Sequence, residues 1–576
     1  MYTKVENVRI LLSLLKEHNI KHVVISPGGT NMPIVQGLQQ DPFFKCYSVV
    51  DERSAMYFAI GLYLQLGETI ATSCTSAQAT RNYLPGLTEA FYKHVPILAI
   101  TASKLPKYTY QELMQAPDQT SLPRDSVKKS YSLPYISNEK DRLMCVRIIN
   151  EAILELTHHR PGPIQLNIPI DDSERLVFDS NSLPEIKAIR RYTLQDDWNF
   201  VLGNKKILVL IGESRTYSTE ETRAIDSFVE SYNAVVYTNH LSNYHGKRSC
   251  NSNLLLSAMS QKMFEEQYKP DVLITIGGQT GDYSVFGKLS SCPLGTFEHW
   301  RVSIDGDVVD VYDQLTKVFE CDVLSFFNHF ETKVCKNKSY YDLWNSSIKN
   351  LHYDVTIPFS NIFAAQQLYS LIPQNSNLSF AILNSLRSWL MFPLDSSIKC
   401  FSPVGAFGID GGMSMAIGLS VQSQELNFFV TGDLAFFYDM NSLGIRGLKN
   451  NMRILLVNNH VGAEFTMYGR QDFDYERYIS AAGHNGSAKG WAEANNFKYI
   501  CASSKEEFYT IMSEFIQTAD QSIVFEIFTT AENETIALKD FLASNTTSTG
   551  KEEIKNMVKS AIGVKGTELL MKFIKK

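Results

Sequence analysis

The sequence predicts an α/β protein made of three doubly wound parallel-sheet domains in series. Three observations predict it. Short β-rich runs, apolar throughout like strands buried on both faces, recur along the chain. Helical patterns separate them, and that alternation produces parallel sheets. The 576 residues also exceed one core; at roughly 150 residues per domain, three or four domains are expected.

The opening segment, MYTKVENVRILLSLLKEHNIKHVV, spreads charge among apolar positions at helical spacing. It reads as an amphipathic helix and not as a signal peptide. KHVVISPG, FKCYSVVD, TIATSCTS, VPILAITAS and GPIQLNIP are the strands of a first domain, residues 1–185, with YLPGLTEAFYKH a helix among them. KKILVLIGES, NAVVYTN, DVLITIGGQ and HWRVSIDGD define a second, residues 190–345. Past a polar stretch at 336–346, LSFAILNS, NFFVTGD, MRILLVNN and SIVFEIF define a third, residues 355–540. Residues 541–576 read as a Ser/Thr/Gly linker and a basic amphipathic tail, expected to pack on its own or a partner subunit.

Composition excludes several classes. The chain is 44% hydrophobic and 20% charged, with a formal charge of -7 and a pI near 6.0, so nothing favours nucleic-acid binding. No apolar run approaches the ~18 residues of a membrane span. Nine cysteines without a C-x-x-C pair argue against a zinc ribbon or disulfide framework and suit a reducing cytosol, hence a cytoplasmic protein. His158-His159, before a Pro-Gly turn, reads as an exposed pair without a role. Gly277-Gly278-Gln279 lacks a G-x-G-x-x-G pattern, so the central domain reads as structural.

The most specific signal is in the third domain. The run NFFVTGD ends a strand in Gly432-Asp433, a helical segment bearing Asn441 follows, and a second strand ends in Asn458-Asn459. In a parallel sheet both strand ends open on the same carboxyl edge, where such folds bind ligands. A carboxylate and an amide oxygen there suit Mg²⁺ (or Mn²⁺), which leaves places for phosphate oxygens. Gly432 permits close approach to the backbone, and the helix start after Asp433 offers free N–H groups. Alone, a strand-end Asp is commonly a helix cap and Asn-Asn a turn. Asn459, however, lies 26 positions beyond Asp433, and this spacing resembles the thiamine-diphosphate motif, G-D-x followed by N-N. By that resemblance Asp433 and Asn459 are metal ligands with the Val461 carbonyl, and Gly432 and Leu434 belong to the cofactor site.

Enzymes of this class need a glutamate on another domain to hydrogen-bond the cofactor's aminopyrimidine. In SVVDERSAMYFAIG, Glu52 stands at a strand-to-helix seam among apolar residues, where burial would raise its pKa. Asp51 reads as the helix cap. The resemblance also implies active sites built across a homodimer or a dimer of dimers, each from the first domain of one chain and the third of another.

ISPGGTNMP, VVDERSA, TSAQATRNYLPGLTEAFYKHVPILAITA, QAPDQTS, NSLRSW, GAFGIDGG and GDLAFFYDMNSL resemble the MenD family. That family makes 2-succinyl-5-enolpyruvyl-6-hydroxy-3-cyclohexene-1-carboxylate by decarboxylating 2-oxoglutarate on thiamine diphosphate and adding the resulting carbanion to isochorismate. The resemblance implies that Ile409 wedges the cofactor into a bent shape and that Ser385 and Phe465 lie near it. It gives Gln115 a catalytic place.

The departures concern substrate. The family's arginines are replaced by Thr30, Lys104, Trp389 and Val404, although Arg387 is two positions from Trp389. Glu464 stands where the family has an apolar residue. Arginines clamp carboxylates with charge-assisted bonds of about 1.5–3 kcal/mol each, so their loss predicts less anionic substrates: a short 2-oxo acid donor and a carbonyl or enone acceptor. The alternatives are the family's own reaction with Lys104 and Arg387 as clamps, or a non-catalytic homologue. Candidate acid, base and orienting groups besides Glu52 are Gln115, Lys104, Glu464 and Asn31.

Overall fold

The computed structural model describes residues 1–330, 335, 337–468 and 478–546. Within them lie three parallel sheets with interleaved helices, and each run read as a strand from the sequence forms one. The contacts divide the chain into two compact units, one of residues 1–195 with 305–320, the other of 196–304 with the described residues from 321 onward.

In the first unit, β1 (His22–Ile25), β2 (Lys45–Ser48), β3 (Ile70–Cys74), β4 (Ile97–Ser103), β5 (Ser130–Ser132) and β6 (Ile164–Pro169) are ordered β2-β1-β3-β4-β6-β5. β1, β3, β4 and β6 are buried along their whole length, which is why they read as unbroken apolar runs. The strand order reverses between β1 and β3, so their carboxyl ends open on a crevice suited to ligands. The helix Glu6–Glu17 buries Val8, Leu11, Leu12 and Leu15 on the core.

The seam before Glu52 is not buried as expected. β2 is an edge strand with an exposed pattern, and Val50 is 74% exposed. Asp51 does cap the helix Glu52–Leu66, its Oδ1 accepting from Ser54 N at 2.9 Å. His158 is also not exposed. Its Nδ1 meets Glu155 Oε2 at 3.1 Å and its Nε2 donates to the Asp305 carbonyl at 2.7 Å, while only His159 faces solvent.

The next strands are β7 (Arg190–Tyr192), β8 (Ile207–Ile211), β9 (Ala234–Thr238), β10 (Ser249–Asn251), β11 (Val272–Ile276), β12 (Glu298–Ser303) and β13 (Leu315–Glu320). In the second unit five of them run parallel in the order β10-β9-β8-β11-β12. β7 and β13 pair parallel with each other, and both belong to the same seven-stranded sheet order, β10-β9-β8-β11-β12-β13-β7. Each carries charge, which conceals it from an apolar-run reading. The polar stretch at 336–346 is largely a helix, Ser339–Lys349, anchored by buried Tyr340 and Trp344.

The third sheet comprises β14 (Asn377–Phe380), β15 (Lys399–Phe401), β16 (Asn427–Gly432), β17 (Met452–Asn458), β18 (Lys498–Ala502) and β19 (Ile523–Phe528), ordered β15-β14-β16-β17-β19-β18. It repeats the layout of the first sheet, with the reversal between β14 and β16. The helix Ala531–Ser544 runs past the expected start of the tail, and 547–576 lie outside the described residues. Among the described residues no helix is long and apolar enough to cross a membrane.

Candidate active site

At the carboxyl edge of the third sheet, β16 delivers Gly432 and Asp433, and β17 delivers Asn458 and Asn459. Asp433 is buried; its Oδ1 accepts from Leu434 N at 2.7 Å and its Oδ2 from His484 Nε2 at 3.0 Å. Burial pushes its carboxyl pKa up, against those two donors. His484 Nδ1 accepts from Gly486 N at 3.2 Å, which fixes the tautomer that donates from Nε2.

The two asparagines divide their work. Asn458 is fully buried and donates to Glu526 Oε1 at 2.7 Å and the Gly486 carbonyl at 2.9 Å, so it braces the sheet edge. Asn459 is half-buried, and among the described residues its Oδ1 accepts only from Val461 N, at 3.2 Å. His460 between them has φ +61°, and its buried Nδ1 has no partner among the described residues. A Cβ built on Gly432 or on Gly411 (φ +86°) would meet nothing within 4 Å. The backbone is thus open to a close-lying anion, and the carboxylate, amide and carbonyl oxygens form a hard donor set. These residues fit a metal-bound diphosphate.

Nearby, Leu383 (φ +65°) opens the short helix Asn384–Leu390, which carries Ser385, Arg387 and Trp389. Ser385 is buried, and Ile409 is exposed on the loop after β15. Trp389 is only 1% exposed and belongs to the hydrophobic core, so it does not line an open pocket. Arg387 Nη1 bonds Glu464 Oε1, and its guanidinium lies over the rings of Tyr283 at 4.2 Å and Tyr468 at 5.1 Å. Burial pushes the Glu464 carboxyl up and Arg387 opposes the shift. Phe465 beside it is exposed.

In the first unit, Glu52 is half-buried rather than enclosed, and Asn82 Nδ2 donates to its Oε2 at 3.1 Å. Thr30 and Asn31 lie at the β1/β3 reversal but are fully buried. Thr30 N donates to Thr75 Oγ1 at 3.0 Å, and Asn31 Nδ2 donates to the Ser26 carbonyl at 3.0 Å. Lys104 Nζ meets both carboxylate oxygens of Asp172 at 2.5 Å. Gln115 is exposed at φ +61° on the wall of an open cleft of about 850 Å³.

Both cations weighed as replacement clamps, Lys104 and Arg387, therefore already have carboxylate partners. Sequence reading missed Asp172, His484, Glu526 and Arg81. His484 and Glu526 are joined to the motif only by long-range contacts; Arg81 alone had a readable position, inside the TSAQATRNY run.

Residues 6–122 match the family model described as thiamine pyrophosphate enzyme, N-terminal TPP binding domain. The chain is 35% identical to the 2-succinyl-5-enolpyruvyl-6-hydroxy-3-cyclohexene-1-carboxylate synthase of Bacteroides thetaiotaomicron, over 94% of this chain and 99% of that protein. The synthases of the same name from Phocaeicola vulgatus and Flavobacterium psychrophilum are 34% and 29% identical, again over 94% of this chain.

Proposed function

The chain belongs to the 2-succinyl-5-enolpyruvyl-6-hydroxy-3-cyclohexene-1-carboxylate synthase (MenD) family of thiamine-diphosphate enzymes, which decarboxylate a 2-oxo acid and form a carbon–carbon bond, and we propose that it catalyses that family's own reaction, with 2-oxoglutarate as donor and isochorismate as acceptor. The observation that carries this reading is 35% identity over nearly the full length of both chains, 94% of this one and 99% of the Bacteroides thetaiotaomicron synthase. It outweighs the inference from missing arginines towards less anionic substrates. Arginine positions can migrate while a carboxylate-binding function persists, because a guanidinium reaches its partner from several backbone positions.

Thiamine diphosphate, when bound, supplies the electron sink for decarboxylation. Asp433, Asn459 and the Val461 carbonyl would hold its Mg²⁺, with Gly432 and Leu434 against the diphosphate. The chain's own proton handler would be Glu52, whose half-buried carboxyl, bonded by Asn82, would hold or give up a proton at its Oε atoms beside the aminopyrimidine. Ser385, Ile409 and Phe465 would orient the cofactor, and Gln115 would orient substrate. Glu464 and Lys104, engaged by Arg387 and Asp172, act on substrate only if those pairs open.

The protein works as a homodimer or a dimer of dimers in the cytoplasm. Tyr57 (47% exposed) and Leu64 (67%), with Phe58 and Leu66, leave the helix that begins at Glu52 with uncovered apolar surface, and a second copy would bury it. The experiment is product analysis by mass spectrometry with Mg²⁺, thiamine diphosphate, 2-oxoglutarate and isochorismate. Formation of the named product is expected. Turnover of pyruvate with a neutral aldehyde, and none with this pair, would reverse the choice.

A further inference from the structure

We infer that Arg81 is the seat for a substrate carboxylate, in the open cleft whose wall also carries Gln115. The inference rests on the reaction proposed above, because both of its substrates are anions. Arg81 lies in the short helix Gln78–Asn82 and lines the cleft together with Gln78, Tyr110, Leu113 and Gln115. It is half-buried, and its Nη2 donates to the Asp118 carbonyl at 2.6 Å.

That bond orients the planar fork, and among the described residues it leaves most of its five donors unused. The contrast with the other cations is sharp. Lys104 and Arg175 lie within ion-pair distance of Asp172, and Arg387 of Glu464, whereas Arg81 forms no ion pair with any described residue. A carboxylate would complete it with paired charge-assisted bonds.

The cleft is also held in shape. Tyr110, Glu112 and Gln115 all have left-handed backbones, at φ +62°, +57° and +61°, a conformation that surrounding structure must enforce. Hydrogen bonds hold the two ends of this run. Tyr110 OH donates to Asp118 Oδ2 at 3.1 Å, and Asp118 Oδ1 accepts from Thr120 N at 3.0 Å and Thr120 Oγ1 at 2.7 Å. Gln119 is buried and ties Ala77 N to the Ala102 carbonyl. Two carboxylates, Glu112 and Asp118, line the cleft. Asp118 keeps its charge: the bonds from Thr120 and Tyr110, and the nearby Arg81 guanidinium, hold its carboxyl below the usual range. Glu112 is exposed and adds a second negative charge that opposes an incoming anion.

The test is steady-state kinetics of the full-length holoenzyme with each substrate varied in turn. Arg81→Gln is expected to raise KM for one substrate about tenfold or more, with kcat within about threefold, as loss of a charge-assisted clamp requires. Glu112→Gln, which leaves the Arg81–Asp118 bond in place, is expected to lower the same KM about twofold or more. A role limited to bracing the loop would not produce that opposite shift. Unchanged KM for both substrates in both variants would overturn the seat and leave the reaction assignment standing. A wild-type enzyme that turns over neither substrate would overturn the reaction instead. In that case calorimetric titration with succinate decides: binding lost in Arg81→Gln keeps the seat, and equal binding, or none to the wild type, removes it.

Discussion

Arg387 and Glu464, 77 positions apart, form an ion pair in which the guanidinium also lies over the rings of Tyr283 and Tyr468. Arg387 is buried, and the Glu464 side chain keeps 24% exposure. Removing one partner strands the other charge in a dry setting, at a cost of about 3 kcal/mol or more, whereas replacing both by apolar groups removes the desolvation penalty as well. Arg387→Leu alone should therefore lower the urea midpoint clearly, and Arg387→Leu with Glu464→Leu should recover most of the loss. A double variant no more stable than the single one would show that the pair is not a closed unit.

Glu52→Gln keeps the shape of the side chain and its contact with Asn82 but removes the titratable proton. Turnover should fall about 10²–10⁴-fold, while cofactor binding followed by circular dichroism stays near the wild-type level. A variant with near-normal CO₂ release would assign the proton step elsewhere.

Asp433→Asn and Asn459→Ala should each raise the Mg²⁺ concentration needed for half-maximal activity about tenfold or more. Stripping the protein with EDTA and titrating Mg²⁺ back in the presence of thiamine diphosphate measures this directly. Asn458→Ala should instead lower stability, since its amide braces Glu526 and the Gly486 carbonyl.

Tyr57→Lys combined with Leu64→Lys places two charges on the uncovered face of the helix Glu52–Leu66. Light scattering after size exclusion should then report monomers, and activity should be lost with them. An active monomer would refute a site shared between chains.

Glu534 is fully buried, and burial raises its pKa from 4.5 to about 7, against Thr529 Oγ1 and Asn361 N, which hydrogen-bond its carboxylate. Its folded pKa is above its unfolded one. The stability this contributes is full below about pH 4.5 and is lost as pH rises to about 7, a change of about 3 kcal/mol. Glu534→Gln should flatten that slope and narrow the difference in melting temperature between pH 5 and pH 8. An unchanged slope would place the titration on another group.

Much of the fold was legible because buried parallel strands must be apolar along their length, so β1, β3, β8, β16 and their like announce themselves. β7, β13 and β18 did not, because charged or exposed residues interrupt their apolar positions. The pairing of Asp433 with Asn459 at one sheet edge was legible for a related reason: they close two adjacent strands, so their separation is set by one strand–helix–strand unit. Asp51 as a cap needed only its immediate neighbours.

By itself, then, the sequence determined what local rules govern: the succession of strands and helices, the cap at Asp51 and the cofactor motif at the ends of two strands. Only the tertiary structure decided which charges are already paired. Glu464 on Arg387, Asp172 on Lys104, the Asp305 carbonyl on His158, and Arg81 beside Gln115 are all made by chain segments that sequence spacing does not connect. A side chain's charge is written in its type, but whether that charge is free for a substrate depends on which partner folding brings within about 4 Å.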